Sequence, residues 1–143
     1  MAHIGPPGVH KPDFVRLLQA VREQADAPRV WEEWVLYMLT AVEETAQQTI
    51  GIVASIKTAL MDCKHRIRAG FKFYSQDLIN NLFTHPYTKI EFVERELKVS
   101  RITATKYLEA LAAGGFLRKV KVGRSNYYIN VALNEILTRE DLV

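Results

Sequence analysis

The stretch that decides the fold is Val99-Ser100-Arg101-Ile102-Thr103-Ala104-Thr105-Lys106-Tyr107-Leu108-Glu109-Ala110-Leu111, followed by Gly114-Gly115-Phe116-Leu117. Ser100 is a helix N-cap type, and Val99, Ala104, Tyr107, Leu108 and Leu111 recur at helical spacing, so one face of the helix is apolar. Ala104 is small, as a helix crossing another helix requires. Gly114-Gly115 stops the helix at about Ala113. Then comes Arg118-Lys119-Val120-Lys121-Val122-Gly123-Arg124-Ser125-Asn126-Tyr127-Tyr128-Ile129, in which Val120 and Val122 alternate with Lys119 and Lys121. Alternation predicts two strands, roughly Leu117–Val122 and Tyr127–Asn130, joined by Gly123–Asn126, with one apolar and one basic face.

Upstream, Ser75 caps a helix carrying Leu78, Ile79, Leu82 and Phe83, which ends at His85-Pro86-Tyr87. Thr88-Lys89-Ile90-Glu91 has the capping-box pattern and opens a further helix through Leu97, with Lys98-Val99 as the turn. Helix, helix, turn, helix and hairpin, in that order, predict a winged helix-turn-helix. A last short helix runs from about Ala132 to Leu137.

The first half of the chain is helical throughout. Phe14, Leu17, Leu18 and Val21 mark a short amphipathic helix over Asp13–Gln24, and Ala27-Pro28 breaks it. A long helix then runs from about Arg29 to Arg68. Its stripe of Trp31, Val35, Met38, Val42, Thr45, Thr49, Ile52, Ile56, Leu60, Cys63 and Ile67 recurs every three or four residues. Lys64, His65, Arg66 and Arg68 face the negative end of its dipole, and Gly70 stops it. The fold class predicted is therefore mainly α. A helical segment over 1–74 precedes a winged helix-turn-helix over 75–143 with a two-stranded antiparallel wing.

Composition excludes several functions. The 143 residues are 48% hydrophobic and 24% charged, ordinary for a globular chain. No apolar run spans a bilayer, and Met1–Gly8 lacks the basic and apolar parts of a signal peptide. Cys63 is the one cysteine, so no internal disulfide forms, and a cytoplasmic location is expected. No Cys/His spacing suits zinc, and no Gly-rich phosphate loop is present, so neither metal nor cofactor is expected. His85 precedes a proline at a helix end and reads as structural. The adjacent pairs Glu32-Glu33 and Glu43-Glu44 diverge around a helix.

Charge points instead to a polyanion. From Ser75 to Asn130 there are nine lysines and arginines against five acids, a net +4, while the whole chain carries +3. The candidate contacts to double-stranded DNA are Ser100, Arg101, Thr103 and Lys106 on the recognition helix and Lys119, Lys121 and Arg124 on the wing. Arginine reads guanine edges, hydroxyls reach bases or phosphates, and lysines meet the backbone. Exposed Ile102 is the exception: it meets a thymine methyl or marks a protein interface.

Five segments together resemble the C-terminal part of bacterial Fic (Fic/Doc) family proteins, which transfer AMP. They are Phe14–Arg22, Trp31–Leu39, Tyr74–Leu78, His85–Val93 and Lys119–Tyr128. The resemblance implies that the first two close an all-helical catalytic core and that the rest is an appended winged helix. The family's catalytic loop, His-Pro-Phe-x-x-Gly-Asn-Gly-Arg, has no counterpart: His85-Pro86 continues as Tyr87-Thr88. A chain without its own catalysis is therefore expected, a regulatory DNA-binding tail. The alternative is an interaction or dimerisation module that positions a Fic catalytic domain or its target. With the core helices absent, the long stripe implies a homodimer from Trp31 to Ile67.

Overall fold

A computed structural model describes residues 11–139. Met1–Gly8, read as lacking a signal peptide, lies outside the described residues. The chain is mainly helical with a small antiparallel sheet. It divides into two compact units, the first running to Ile52 and the second spanning Val53–Arg139.

The first unit contains α1 (Lys11–Glu23) and the beginning of α2 (Pro28–Gly70), a continuous helix of 43 residues. Pro28 opens α2, where the missing N–H costs nothing. Trp31 Nε1 donates to the Ala25 carbonyl at 2.8 Å and fixes the corner. The Phe14 and Trp34 rings meet at 5.4 Å, and Leu17, Val21 and Ala41 are buried. Thr40, Thr45, Thr49 and Thr58 each return the hydroxyl to the carbonyl four residues back, so these polar groups sit in the helix without disrupting it.

The second unit is built on one core. Cys63 and Ile67, at the end of α2, pack with Leu78, Ile79 and Leu82 of α3 (Gln76–Thr84) and with Val93 of α4 (Ile90–Leu97). Ala104, Leu108 and Leu111 of α5 (Arg101–Ala113), Leu117 and Tyr128 complete the cluster. Ser75 caps α3 as predicted, accepting from Leu78 N at 3.1 Å. Ala104 is fully buried where α5 crosses the core. After α5, Gly115 takes φ +83 and Phe116 N reaches back to the Leu111 carbonyl at 3.0 Å. At Gly114 a Cβ would lie 3.1 Å from the Phe71 ring, a tight contact beneath the aromatic cap of Phe71, Phe73, Phe116 and Tyr107.

The sheet has three strands, in the order β1 (Tyr87–Thr88), β3 (Ser125–Asn130), β2 (Leu117–Val122). The hairpin was predicted, but β1 was not: two residues carry no alternation to detect. Thr88 belongs to that strand and is buried. Its hydroxyl donates to Asn81 Oδ1 at 2.8 Å instead of closing a capping box. The N-cap of α4 is Lys89, with no side-chain cap bond. The hairpin turn is also tighter than the predicted four residues. Val122 pairs with Ser125, leaving Gly123 and Arg124 as the turn, with Gly123 at φ +61.

The two faces of the hairpin differ as alternation predicts, and the face carrying the lysines is the one turned to the core. Lys119 and Lys121 share a face with Leu117, Tyr128 and Asn130, the face that covers the core. Val120 and Val122 lie on the outer face, and Val122 is exposed. The hairpin outruns the core it covers, so its inner side turns basic beyond Leu117. Asn130 closes the unit: its Oδ1 caps α6 (Val131–Leu137) and its Nδ2 donates to the Leu82 carbonyl at 2.9 Å.

Candidate nucleic-acid interface

The turn between α4 and α5 is set by one backbone choice. Lys98 sits in the left-handed region at φ 54, ψ 46, which turns the chain sharply between α4 and α5. Val99 is half-buried, and Ser100 then caps α5. Ser100 Oγ accepts from Thr103 N at 3.2 Å and donates to Thr103 Oγ1 at 3.0 Å. The first turn is thereby locked by the two hydroxyl residues predicted to meet DNA. Ser100 has spent its proton on Thr103; the Thr103 hydroxyl proton is still available.

Beyond that cap the first turns of α5 present Arg101, Ile102 and Lys106 outward. Arg101 is 65% exposed and its nearest acid is Glu94, 3.9 Å away, a loose pairing that water competes with. Lys106 makes no ion pair among the described residues. Ile102 is 83% exposed, the most open large apolar side chain described.

The wing residues differ among themselves. Lys121 and Arg124 are exposed and unpaired among the described residues, Arg124 at the tip of the turn. Lys119 is engaged: its Nζ donates to Glu109 Oε1 at 2.6 Å, and the Tyr128 hydroxyl donates to the same oxygen at 2.7 Å. These two bonds, from Lys119 first and then Tyr128, hold the Glu109 carboxyl below the usual carboxylate range. Burial, with Glu109 adding to it, pushes the Tyr128 phenol well above its ordinary value, so it stays a donor. Lys119 therefore ties the wing to α5 and offers little net charge outward.

Residue-by-residue reading missed this clamp, since Glu109, Lys119 and Tyr128 lie on three elements. It also missed the network inside the unit, where Asn81 donates to Glu96 Oε2 at 2.7 Å and accepts from Thr88. Arg118 and Lys98 are exposed cations beside the same elements. The basic end of α2 is only partly solvated: Arg66 lies over the Phe116 ring at 4.6 Å and Arg68 over Tyr74 at 5.9 Å. Cys63 is buried, and burial pushes its thiol up.

Among the described residues, no group of three or more His, Cys, Asp and Glu side chains converges on one point. No described helix is long and apolar enough to cross a membrane. An open cleft lined by Asp62, Thr58, Ala132, Glu135 and Arg139 contains no histidine or cysteine.

The family model for the C-terminal domain of SoFic-like protein adenylyltransferases matches residues 60–133. That span begins at Leu60, at the edge of the core on α2, and ends at Leu133 in α6. It takes in the end of α2, helices α3 to α5 and the hairpin. On that match the chain belongs to the family of SoFic-like protein adenylyltransferase C-terminal domains, the C-terminal part of a Fic-related protein.

Proposed function

We propose that the chain is a DNA-binding regulatory tail of a Fic-like protein, with no AMP transfer of its own. The first turn of α5 enters the major groove of double-stranded DNA and the hairpin tip meets the neighbouring phosphates. One observation supports this above the others: Arg101 and Lys106 on α5, and Lys121 and Arg124 on the wing, are exposed and loosely paired or unpaired among the described residues. A rigid first turn, locked by Ser100 and Thr103, suits base contacts, because little freedom is left to lose on binding. Arg101 is assigned to base edges, Lys106, Lys121 and Arg124 to phosphates, and Thr103 to either. Ser100 and Lys119 act as positioning residues: one caps the helix, the other anchors the wing through Glu109. A cytoplasmic setting suits the reduced, buried Cys63.

The second reading, an interaction module that positions a Fic catalytic domain or its target, is favoured by Ile102. An isoleucine 83% exposed at the centre of a reading surface also suits a protein contact.

Titration of mixed-sequence duplex DNA by fluorescence anisotropy at rising salt separates the two. About three phosphate contacts predict affinity falling with a log–log slope near −3. Arg101→Ala weakens sequence preference, while Lys121→Ala weakens all duplexes alike. Absence of binding even at low salt overturns the DNA reading.

A further inference from the structure

The apolar residues on α2 follow a stricter rule than helical periodicity. Val35, Leu39, Val42, Ala46, Thr49, Val53, Ile56, Leu60, Cys63 and Ile67 are spaced alternately by four and three residues without a break. This is a heptad repeat, with Val35, Val42, Thr49, Ile56 and Cys63 at d and Leu39, Ala46, Val53, Leu60 and Ile67 at a. Its last part is occupied, since Leu60, Cys63 and Ile67 pack into the core of the second unit. Its earlier part is open: Val35 is 48% exposed, Leu39 59%, Val42 62% and Val53 59%, and Leu36 and Ile50 beside them are as exposed. α1 contacts a different side of the helix, through Trp34.

We propose that the heptads of α2 from Leu39 to Ile56 form an antiparallel two-stranded coiled coil with the same helix of a second copy. A heptad seam is complementary to another heptad seam, and identical copies supply one. Antiparallel pairing follows from the side chains. With Ala46 set against Thr49 of the partner subunit, Val42 meets Val53 of the partner subunit and Leu39 meets Ile56 of the partner subunit. Small residues then lie at the two-fold axis, where helices approach closely, and larger ones fill both ends. The charged flanks agree. The e positions carry Glu43 and Lys57, exposed and unpaired among the described residues. Antiparallel helices set e against e, so each Glu43 is brought toward Lys57 of the partner subunit. Parallel helices set e against g, where Met38, Thr45, Ile52 and Ala59 offer no charge. Valine at d with leucine at a also does not suit a parallel dimer. The seam is independent of the DNA reading, and it excludes Leu60–Ile67, which the molecule already uses.

Sedimentation velocity on the 143-residue chain at tens of micromolar tests this. The expected mass is twice the 16.4 kDa of one chain, dissociating on dilution. Val42→Glu places a charge in the seam and raises the dimer Kd by roughly a hundredfold or more. Circular dichroism that retains its helical signal and cooperative melt shows that the loss is not unfolding. Glu43→Lys weakens the dimer several-fold, and adding Lys57→Glu restores it. A monomeric wild-type chain, or a dimer indifferent to Val42→Glu, overturns the seam. No rescue by the double charge exchange overturns the antiparallel pairing.

Discussion

The two units of this chain treat apolar side chains in opposite ways. Among the described residues, the second unit buries thirteen hydrophobic side chains, four of them reaching the centre from α5 and the hairpin strands at Ala104, Leu108, Leu111 and Tyr128. The first unit buries three, Leu17, Val21 and Ala41, and leaves Trp31, Val35, Leu36, Leu39, Val42 and Ile50 exposed. Both units have helical sequence of similar hydrophobic content. The difference is closure: three helices, the end of α2 and a sheet surround one point, whereas two helices in contact leave most of their apolar surface in water. Stability of the chain therefore resides in the second unit, and the first leaves apolar surface in water.

The sharpest way to break this comparison is to truncate an apolar side chain to alanine in each unit. Ile67→Ala empties a fully buried site of the second unit and is expected to cost about 2–5 kcal/mol in urea unfolding. Val42→Ala, measured in dilute, monomeric chain, is expected to cost within about 0.5 kcal/mol. Equal losses at the two sites would mean that Val42 is buried within a single chain.

A smaller effect sharpens what closes the second unit. Thr88→Val keeps shape but removes the hydroxyl that donates to Asn81 Oδ1. A buried acceptor loses its partner, and a loss of about 1–3 kcal/mol is expected in the same unfolding measurement. A value near zero would show that β1 is held by its backbone pairing to β3 alone.

The smallest effect is set by pH. Glu109 is held below the usual carboxylate range by Lys119 and then by Tyr128. A depressed folded value contributes stability that is present above the unfolded glutamate value of about 4.3. That contribution is lost as pH falls through the lower folded value. The protection of the β2 amides against hydrogen exchange, relative to their intrinsic rates, is therefore expected to fall in acid more than that of the α3 amides. Lys119→Met should lift the Glu109 value back toward the ordinary range and shift that loss of protection to higher pH. Unchanged profiles in that variant would dissociate the wing from the clamp.

The elements were legible because their causes are local. Helices α3, α5 and α6 and the start of the hairpin follow from caps, stops and spacing within a few residues, such as Ser75, Ser100 and Gly114-Gly115. The capping box at Thr88 was misread because a threonine followed three residues later by glutamate carries the same letters whether it caps a helix or lies in a strand. Alternation in β2 showed that one face was apolar, and the structure placed the other face inward. Burial there is governed by how far the hairpin extends past the core, which no strand encodes by itself. Of the candidate contacts, Ser100, Thr103 and Lys119 have partners within the chain, and only Arg101, Lys106, Lys121 and Arg124 extend into solvent without a close one.

By itself the sequence determined the order of the helices and the hairpin, the heptad spacing of α2 and the excess of positive charge after Ser75. Each is a property of neighbours along the chain, and helical and strand periods express it directly. Only the tertiary structure decided which part of the α2 stripe is buried, which face of the hairpin meets the core, that a two-residue strand joins the sheet, and that Lys119 belongs to Glu109. Those outcomes join residues many positions apart. They depend on which surfaces close around a common centre, and a sequence pattern specifies that a surface is apolar or charged, never which other surface reaches it first.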